Sequence, residues 1–217
     1  MKLLRSRRGS TLEHRLVWQA AALLLTYPDD QQAERLATVE ELLAHLSATP
    51  ADLLAGTVAA LRAKDPMQAQ VDYVDTFDMR RRTTMYLTYW TAGDTRNRGN
   101  HMLAFARTYR EAGVNPPEGE APDYLPVVLE FAATVDPAAG RRLLVEHRAP
   151  IDLLCEALQQ SASLYAPAVA AVCQTLPART EQDIQRAQRL AAAGPPTESV
   201  GLQPFTLTVP PRRAQGV

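Results

Sequence analysis

Phosphate loops, dinucleotide fingerprints and paired-histidine metal motifs are all missing from the 217 residues of this chain. There is no G-x-G-x-x-G, no lysine-bearing phosphate loop and no nucleophile elbow. The four histidines (His14, His45, His101, His147) are scattered and show no H-E-x-x-H spacing. Cysteine is nearly absent. Cys155 and Cys173 stand alone, neither within a C-x-x-C pair, so neither a disulfide framework nor a zinc ribbon can be read from them. Each lies in an apolar helical run and reads as a small core residue, in keeping with a reducing cytoplasm. Charge of one sign is lacking as well: 23 Lys and Arg stand against 24 Asp and Glu, for a net charge of −1. That balance excludes a general attraction to nucleic acid or to an anionic membrane surface. No uninterrupted apolar run approaches the roughly 18 residues that a membrane span requires. Lys2, Arg5, Arg7 and Arg8 before Leu16–Leu25 give a superficial likeness to a secretory or twin-arginine leader. Glu13, His14, Arg15 and Gln19 interrupt that run, however, and Tyr27-Pro28-Asp29-Asp30 follows in place of a small-residue cleavage site. An amphipathic first helix is the better reading. Together these absences argue against an enzyme.

What the chain does contain is helix after helix. Glycine is held to 10 residues while Ala and Leu dominate. Ser10-Thr11-Leu12-Glu13 has the form of a capping box, opening a helix with Leu12, Leu16, Ala20, Leu23 and Leu24 on one face. Leu36, Val39, Leu43 and Leu46 mark a second helix. Thr49-Pro50 and Asp65-Pro66 each read as a cap followed by proline at the first helical position, the latter opening a stripe of Met67, Val71, Val74 and Phe77. Met85–Trp90 is short and apolar enough to resemble a strand, but with no partner strand in prospect a buried helix is preferred. Met102, Phe105, Ala106 and Tyr109 line a helix ending at Gly113, a loop covers residues 114–122, and further helices start near Pro126, Pro137, Pro150, Pro167 and Thr180. The expected fold is therefore all-α, a single multi-helix bundle. Residues 1–10 form a basic arm, 11–193 the helical domain, and 194–217 a proline-rich tail expected to be disordered, although Phe205–Val209 has the pattern of a short strand.

Chemistry-bearing residues crowd into the middle of the chain. Asp72, Asp75, Asp78, Asp94, Glu118, Glu120 and Asp123 accompany Tyr73, Tyr86, Tyr89, Trp90 and Tyr124. Aromatic anchors rimmed by carboxylates suit a peptide that is apolar on one side and basic on the other. Asp72, Asp75 and Asp78 are spaced by three and read as a solvated acidic face; the alternative is a metal-holding or general-base cluster. Arg80, Arg81, Arg82, Arg96 and Arg98 form a basic cluster compatible with phosphate, hence with nucleic acid or a nucleotide-bearing cofactor. Ion pairing with the interleaved aspartates is the favoured role, because the local charges nearly cancel.

These same segments resemble the NarJ family, the delta-subunit assembly chaperones of respiratory nitrate reductase. The likeness is carried by Tyr73-Val-Asp-Thr-Phe-Asp-Met-Arg-Arg-Arg82, by Met85-Tyr-Leu-Thr-Tyr-Trp90 with Gly93-Asp-Thr-Arg-Asn-Arg-Gly99, by Tyr109–Gly113, and by Pro122-Asp-Tyr-Leu-Pro-Val-Val-Leu-Glu-Phe131. It runs from about residue 71 to 133. The resemblance implies an all-helical, TorD-like chaperone in the cytoplasm. Its client would be the N-terminal segment of the nitrate reductase catalytic subunit, kept competent for insertion of molybdenum cofactor and iron–sulfur centres before membrane docking in nitrate respiration. No cofactor would be bound permanently, and neither nucleic acid nor direct membrane insertion is implied. Carried over position by position, the candidate client contacts are Asp78, Arg81, Tyr86, Tyr89, Asp94, Asp123 and Tyr124. Ala121 departs from the pattern, in which a leucine would precede Pro122-Asp123-Tyr124. The competing expectations are a TorD-type chaperone for another molybdoenzyme, a helical nucleic-acid-binding protein, and a helical enzyme with metal at Asp72, Asp75 and Asp78.

Overall fold

The computed structural model describes residues 2–92, 96–116 and 118–194. Eleven α-helices occur among them: α1 (Lys2–Leu25), α2 (Gln32–Leu43), α3 (Ala48–Arg62), α4 (Pro66–Tyr73), α5 (Tyr89–Ala92), α6 (Arg96–Glu111), α7 (Leu125–Thr134), α8 (Pro137–Glu146), α9 (Arg148–Gln160), α10 (Ala166–Thr175) and α11 (Glu181–Ala193). A π-helical turn, Val74–Asp78, extends α4, and a 3-10 turn covers Arg81–Thr83. The fold is all-α. The tail after Gly194, including Phe205–Val209, lies outside the described residues.

The organising helix is α1, which packs on α2, α3, α7 and α10. Its buried face is Val17, Trp18, Ala20, Ala21, Leu24 and Leu25. The two alanines among these let the surrounding helices approach closely, and burying the larger apolar chains contributes roughly 1.5–3 kcal/mol each before entropy is counted. Trp18 satisfies its indole by donating from Nε1 to Thr175 Oγ1 at 2.8 Å, so α1 is pinned to the end of α10 by a buried polar contact as well as by packing.

Local cap chemistry was readable at several junctions. Asp65 accepts from the backbone N–H of Met67 and Gln68 at 3.0 and 3.4 Å, and Asp136 from Ala138 and Ala139 at 2.9 Å each. In both cases proline takes the first helical position, where no N–H is missed. Thr180 and Asp183 complete a reciprocal capping box on α11. Other expectations are overturned. Ser10 is inside α1, not at its N-cap, and Glu13 Oε1 accepts instead from Ser47 N at 2.9 Å. Helix α3 begins at Ala48 after Ser47, so Thr49 and Pro50 fall in its first turn. The stripe expected on α4 holds only at its far end: Phe77 is buried and Val74 half-buried, but Met67 is 73% exposed and Val71 47%, while Ala69 and Tyr73, outside the stripe, are buried. The aromatic face outweighs the aliphatic one because Tyr73 meets Tyr165 edge-to-face and Phe77 packs on it at a tilt, at centroid distances of 5.8 and 4.9 Å.

One half-buried histidine gives the fold a pH dependence. His147, between α8 and α9, stacks on Phe105 at 4.7 Å and has Nδ1 2.9 Å from Leu143 O. Burial pushes its pKa down, and Arg186 acts in the same direction; the Leu143 carbonyl, Glu146 and Asp123 oppose it. His14 is lowered too, by burial and then by Arg141. A base with a depressed folded-state pKa favours the folded state fully only above its unfolded value, near 6.5. As pH falls below about 6.5 the unfolded chain binds protons that the folded chain resists, so stability declines. Thermal melts across the range from about pH 8 to 5 should show falling Tm on the acid side, and His147→Gln should flatten that slope.

Candidate functional site

The middle of the chain, which carried the crowded aromatics, is organised by one short bridge. Met85 and Tyr86 lead through a bridge into a turn at Leu87–Thr88, in place of the buried helix expected there; only Tyr89–Ala92 is helical. Tyr86 pairs with Tyr124 as an isolated antiparallel bridge, with Leu87 N donating to Asp123 O at 3.0 Å and Leu125 N to Met85 O at 2.9 Å. The partner strand is supplied by the segment preceding α7, too short to leave any alternation in the sequence.

Asp123 sits beneath this bridge with 0% exposure. Its Oδ2 accepts from Thr88 N at 3.1 Å and from Thr88 Oγ1 at 2.5 Å. Its Oδ1 has no hydrogen-bond partner, but the Arg98 guanidinium approaches it to 3.6 Å. The same guanidinium lies 4.8 Å from the centroid of the Tyr86 ring, a cation–π arrangement strengthened by partial burial. Tyr86 and Tyr124 then stack side by side, centroids 5.3 Å apart. Below them Tyr73 donates its phenol proton to Leu25 O at 3.0 Å, leaving its oxygen, 2.5 Å from Tyr124 Oη, to accept from Tyr124. Burial pushes the Tyr73, Tyr86 and Tyr124 phenols up, so all three remain protonated near neutral pH. Asp78 and Glu120, both exposed, act electrostatically on Tyr86 and on Tyr124 alike, so two carboxylates lie near the pair.

The sequence-derived candidates separate accordingly. Asp78, Tyr86 and Tyr124 come together, the tyrosines half-buried and Asp78 exposed. Asp123 underlies them without reaching the surface. Tyr89 is 9% exposed and belongs mainly to the interior. Arg81, exposed on the 3-10 turn, lines a groove against α9 with its two neighbours. Asp94 lies outside the described residues. Four participants were missed as site residues: Tyr73, Thr88, Arg98 and Glu120. Tyr73 and Glu120 were visible as part of the crowd, but only their contacts single them out; nothing in the sequence marks Thr88. The favoured pairing of the arginines with aspartates holds for Arg98 and Asp123, yet neither Arg80 nor Arg82 forms an ion pair among the described residues. Asp72 bonds Lys64 Nζ at 2.5 Å and Gln68 Nε2 at 2.7 Å, and no group of three or more His, Cys, Asp or Glu could hold a metal among the described residues.

Residues 29–171 match the family model described as nitrate reductase delta subunit. The chain belongs to that family. The match spans both halves of the Tyr86–Tyr124 bridge and stops short of α11. Over 160 residues, 74% of this chain, the sequence is 64% identical to the nitrate reductase-like protein NarX of Mycobacterium tuberculosis, and it spans about a quarter of that protein's length (24%). A second relative, "Probable nitrate reductase molybdenum cofactor assembly chaperone NarJ" of Bacillus subtilis, is 31% identical over 158 residues, 72% of this chain and 86% of its own. The nitrate reductase molybdenum cofactor assembly chaperone NarJ of Escherichia coli is 31% identical over 146 residues, 66% of this chain and 62% of its own. Among the described residues, no helix of this delta-family chain is long and apolar enough to cross a membrane.

Proposed function

We propose that this delta-family chain is a non-catalytic assembly chaperone for a nitrate reductase, acting in the cytoplasm on the N-terminal segment of the catalytic subunit. The observation that carries the reading is the stacked Tyr86–Tyr124 pair with Asp78 and Glu120 near it, inside the segment matched to the family. Two tyrosines already oriented by Arg98 and Tyr73 offer contact area at little entropic cost. The carboxylates attract basic side chains and set the direction of approach. The client leader folds as an amphipathic helix, lays its apolar face on the tyrosines and turns its basic face to the two carboxylates. Folding on binding tempers affinity and assists release. Occupancy holds the client back from membrane docking while molybdenum cofactor and iron–sulfur centres are inserted. The 31% identity with NarJ proteins of two organisms favours this client over that of another molybdoenzyme.

Titration calorimetry with a synthetic leader of the host's catalytic subunit tests the reading, a scrambled peptide serving as control. Saturable one-to-one binding of the true leader is expected. Tyr86→Ala should weaken it about tenfold or more, the loss of ~1.4 kcal/mol or more typical of an anchoring aromatic, with an unchanged circular dichroism spectrum. Equal affinity for the scrambled peptide would remove the leader-capture mechanism.

A further inference from the structure

Client capture makes no use of the two cysteines, yet the fold brings them together. Cys155 lies on α9 and Cys173 on α10, two consecutive helices that pack on one another. The chain reverses between them in a tight turn, where Ser163 N donates to Leu158 O at 2.9 Å. Cys155 is 6% exposed and belongs to the main apolar core. Cys173 packs against that core but keeps some contact with solvent. The two side chains are hydrogen-bonded to each other across the helix interface, and both thiols are free. Two groups that the sequence sets 18 positions apart (155 and 173) are thus direct neighbours.

The pair is polarised. Cys173 is the donor: sharing its proton with Cys155, together with burial, pushes its pKa up. Cys155 is the acceptor, and the hydrogen bond from Cys173 holds its pKa down. Burial, Asp152 and Glu156 oppose that shift and Arg179 supports it. Arg179 is fixed beside the pair by Asp152 Oδ2 at 3.1 Å and Glu156 Oε1 at 3.5 Å. A sulfur drawn towards thiolate next to a thiol that holds its proton is the arrangement from which disulfide chemistry starts. Small core residues that only fill space would need no such contact. A metal centre is not the alternative, because no group of three or more His, Cys, Asp or Glu could hold an ion among the described residues.

We infer that Cys155 and Cys173 are a reversible oxidation site, closed by hydrogen peroxide into an intrachain disulfide that locks α9 to α10. The Cys155 thiolate attacks one peroxide oxygen and the O–O bond breaks. The departing hydroxide takes up the proton that Cys155 released and leaves as water, and Cys155 carries a sulfenic acid. The Cys173 sulfur then attacks the Cys155 sulfur. The S–O bond breaks, the hydroxyl leaves as a second water with the Cys173 proton, and the S–S bond forms. Each sulfur gives up one electron, and the peroxide is reduced to two waters. A small oxidant suits a site in which Cys155 is nearly closed off. The new bond encloses residues 156–172, among them Tyr165, whose ring packs on Tyr73 and Phe77. Closure therefore restrains the aromatic layer beneath the Tyr86–Tyr124 pair as well as the two helices.

The test treats the full chain, reduced and then freed of reductant, with a small excess of hydrogen peroxide and maps its fragments by mass spectrometry without reduction. One cross-linked fragment is expected, joining Cys155 to Cys173 and lighter by two hydrogens than the sum of the free fragments. Both thiols should resist iodoacetamide and become reactive again after dithiothreitol. Met67 and Met79, each 73% exposed, take up oxygen and show that the peroxide acted. The linked chain should melt roughly 6–12 °C above the same sample after dithiothreitol, a comparison in which the methionine oxidation cancels. That difference should vanish in Cys173→Ala, where Cys155 should instead be trapped as its sulfenic acid by dimedone. Separate oxidation of the two cysteines to sulfinic acids would overturn the inference. So would disulfides formed only between chains, thiols that still react with iodoacetamide once Met67 and Met79 are oxidised, or a linked chain that melts no higher than the reduced one.

Discussion

Gly140→Ala should unfold the chain at a markedly lower temperature than any surface substitution. Gly140 lies buried in the first turn of α8 where the chain reverses from α7. A methyl group added there overlaps both Cβ and Cα of Ala132 and falls 3.0 Å from Ala132 N. Because part of the obstruction is backbone, no rotamer change can relieve it. Overpacking against side chains costs about 1–3 kcal/mol; contact with a helix backbone should reach the top of that range or exceed it. For a domain of this size about 3 kcal/mol corresponds to a Tm lower by roughly 6–12 °C. The companion change Ala132→Gly removes the methyl–methyl overlap but leaves Cα in place, so the double variant should recover only part of the loss. A single variant melting within a degree or two of the parent would show that α7 and α8 can separate at little cost. That would matter beyond stability, since α7 begins at Leu125 and carries the Tyr124 side of the bridge.

The elements that were legible in the sequence are those fixed by chemistry within four residues. Asp65-Pro66 and Asp136-Pro137 were readable because carboxylate, proline and the first free N–H groups are neighbours in the chain. Phe105, Ala106 and Tyr109 were placed correctly on the buried face of α6 because the helix period alone selects them. Where several faces competed, periodicity failed: Met67 and Val71 are as apolar as any core pair, yet the rings of Tyr73, Phe77 and Tyr165 took the interior. The candidate site was legible in residue identity and illegible in depth. Asp123 and Thr88 are 35 residues apart in sequence, and no local pattern distinguishes a carboxylate that rims a groove from one that closes a loop beneath it. Only the bridge pairing of Met85–Leu87 with Asp123–Leu125 decides the matter, and it buries Asp123 while leaving Tyr86 and Tyr124 at the surface.

That burial sets the expected result for Asp123→Ala. A rim carboxylate would be lost with the fold intact, at a cost in association rate. A buried one takes with it the acceptor of both Thr88 N and Thr88 Oγ1 and the counter-charge of Arg98. Leaving buried donors without an acceptor costs about 1–3 kcal/mol, and a partner charge left behind adds to it. The alanine variant should therefore lose about 3 kcal/mol or more, seen as a Tm roughly 6–12 °C lower, and should also bind the leader peptide more weakly at temperatures where it is still folded. The second effect arises because Arg98 spans Asp123 and the Tyr86 ring: without its carboxylate the guanidinium is free to leave the ring, and the tyrosine pair loses its orientation. Asp123→Asn separates the two consequences. Its amide oxygen still accepts from Thr88, so most of the thermal stability should return, whereas attraction to Arg98 is reduced and peptide affinity should stay below that of the parent. Full recovery of both would make Asp123 a loop-closing residue with no bearing on the tyrosine surface; an alanine variant with unchanged melting would show that the Met85–Leu87 segment holds its place without the carboxylate.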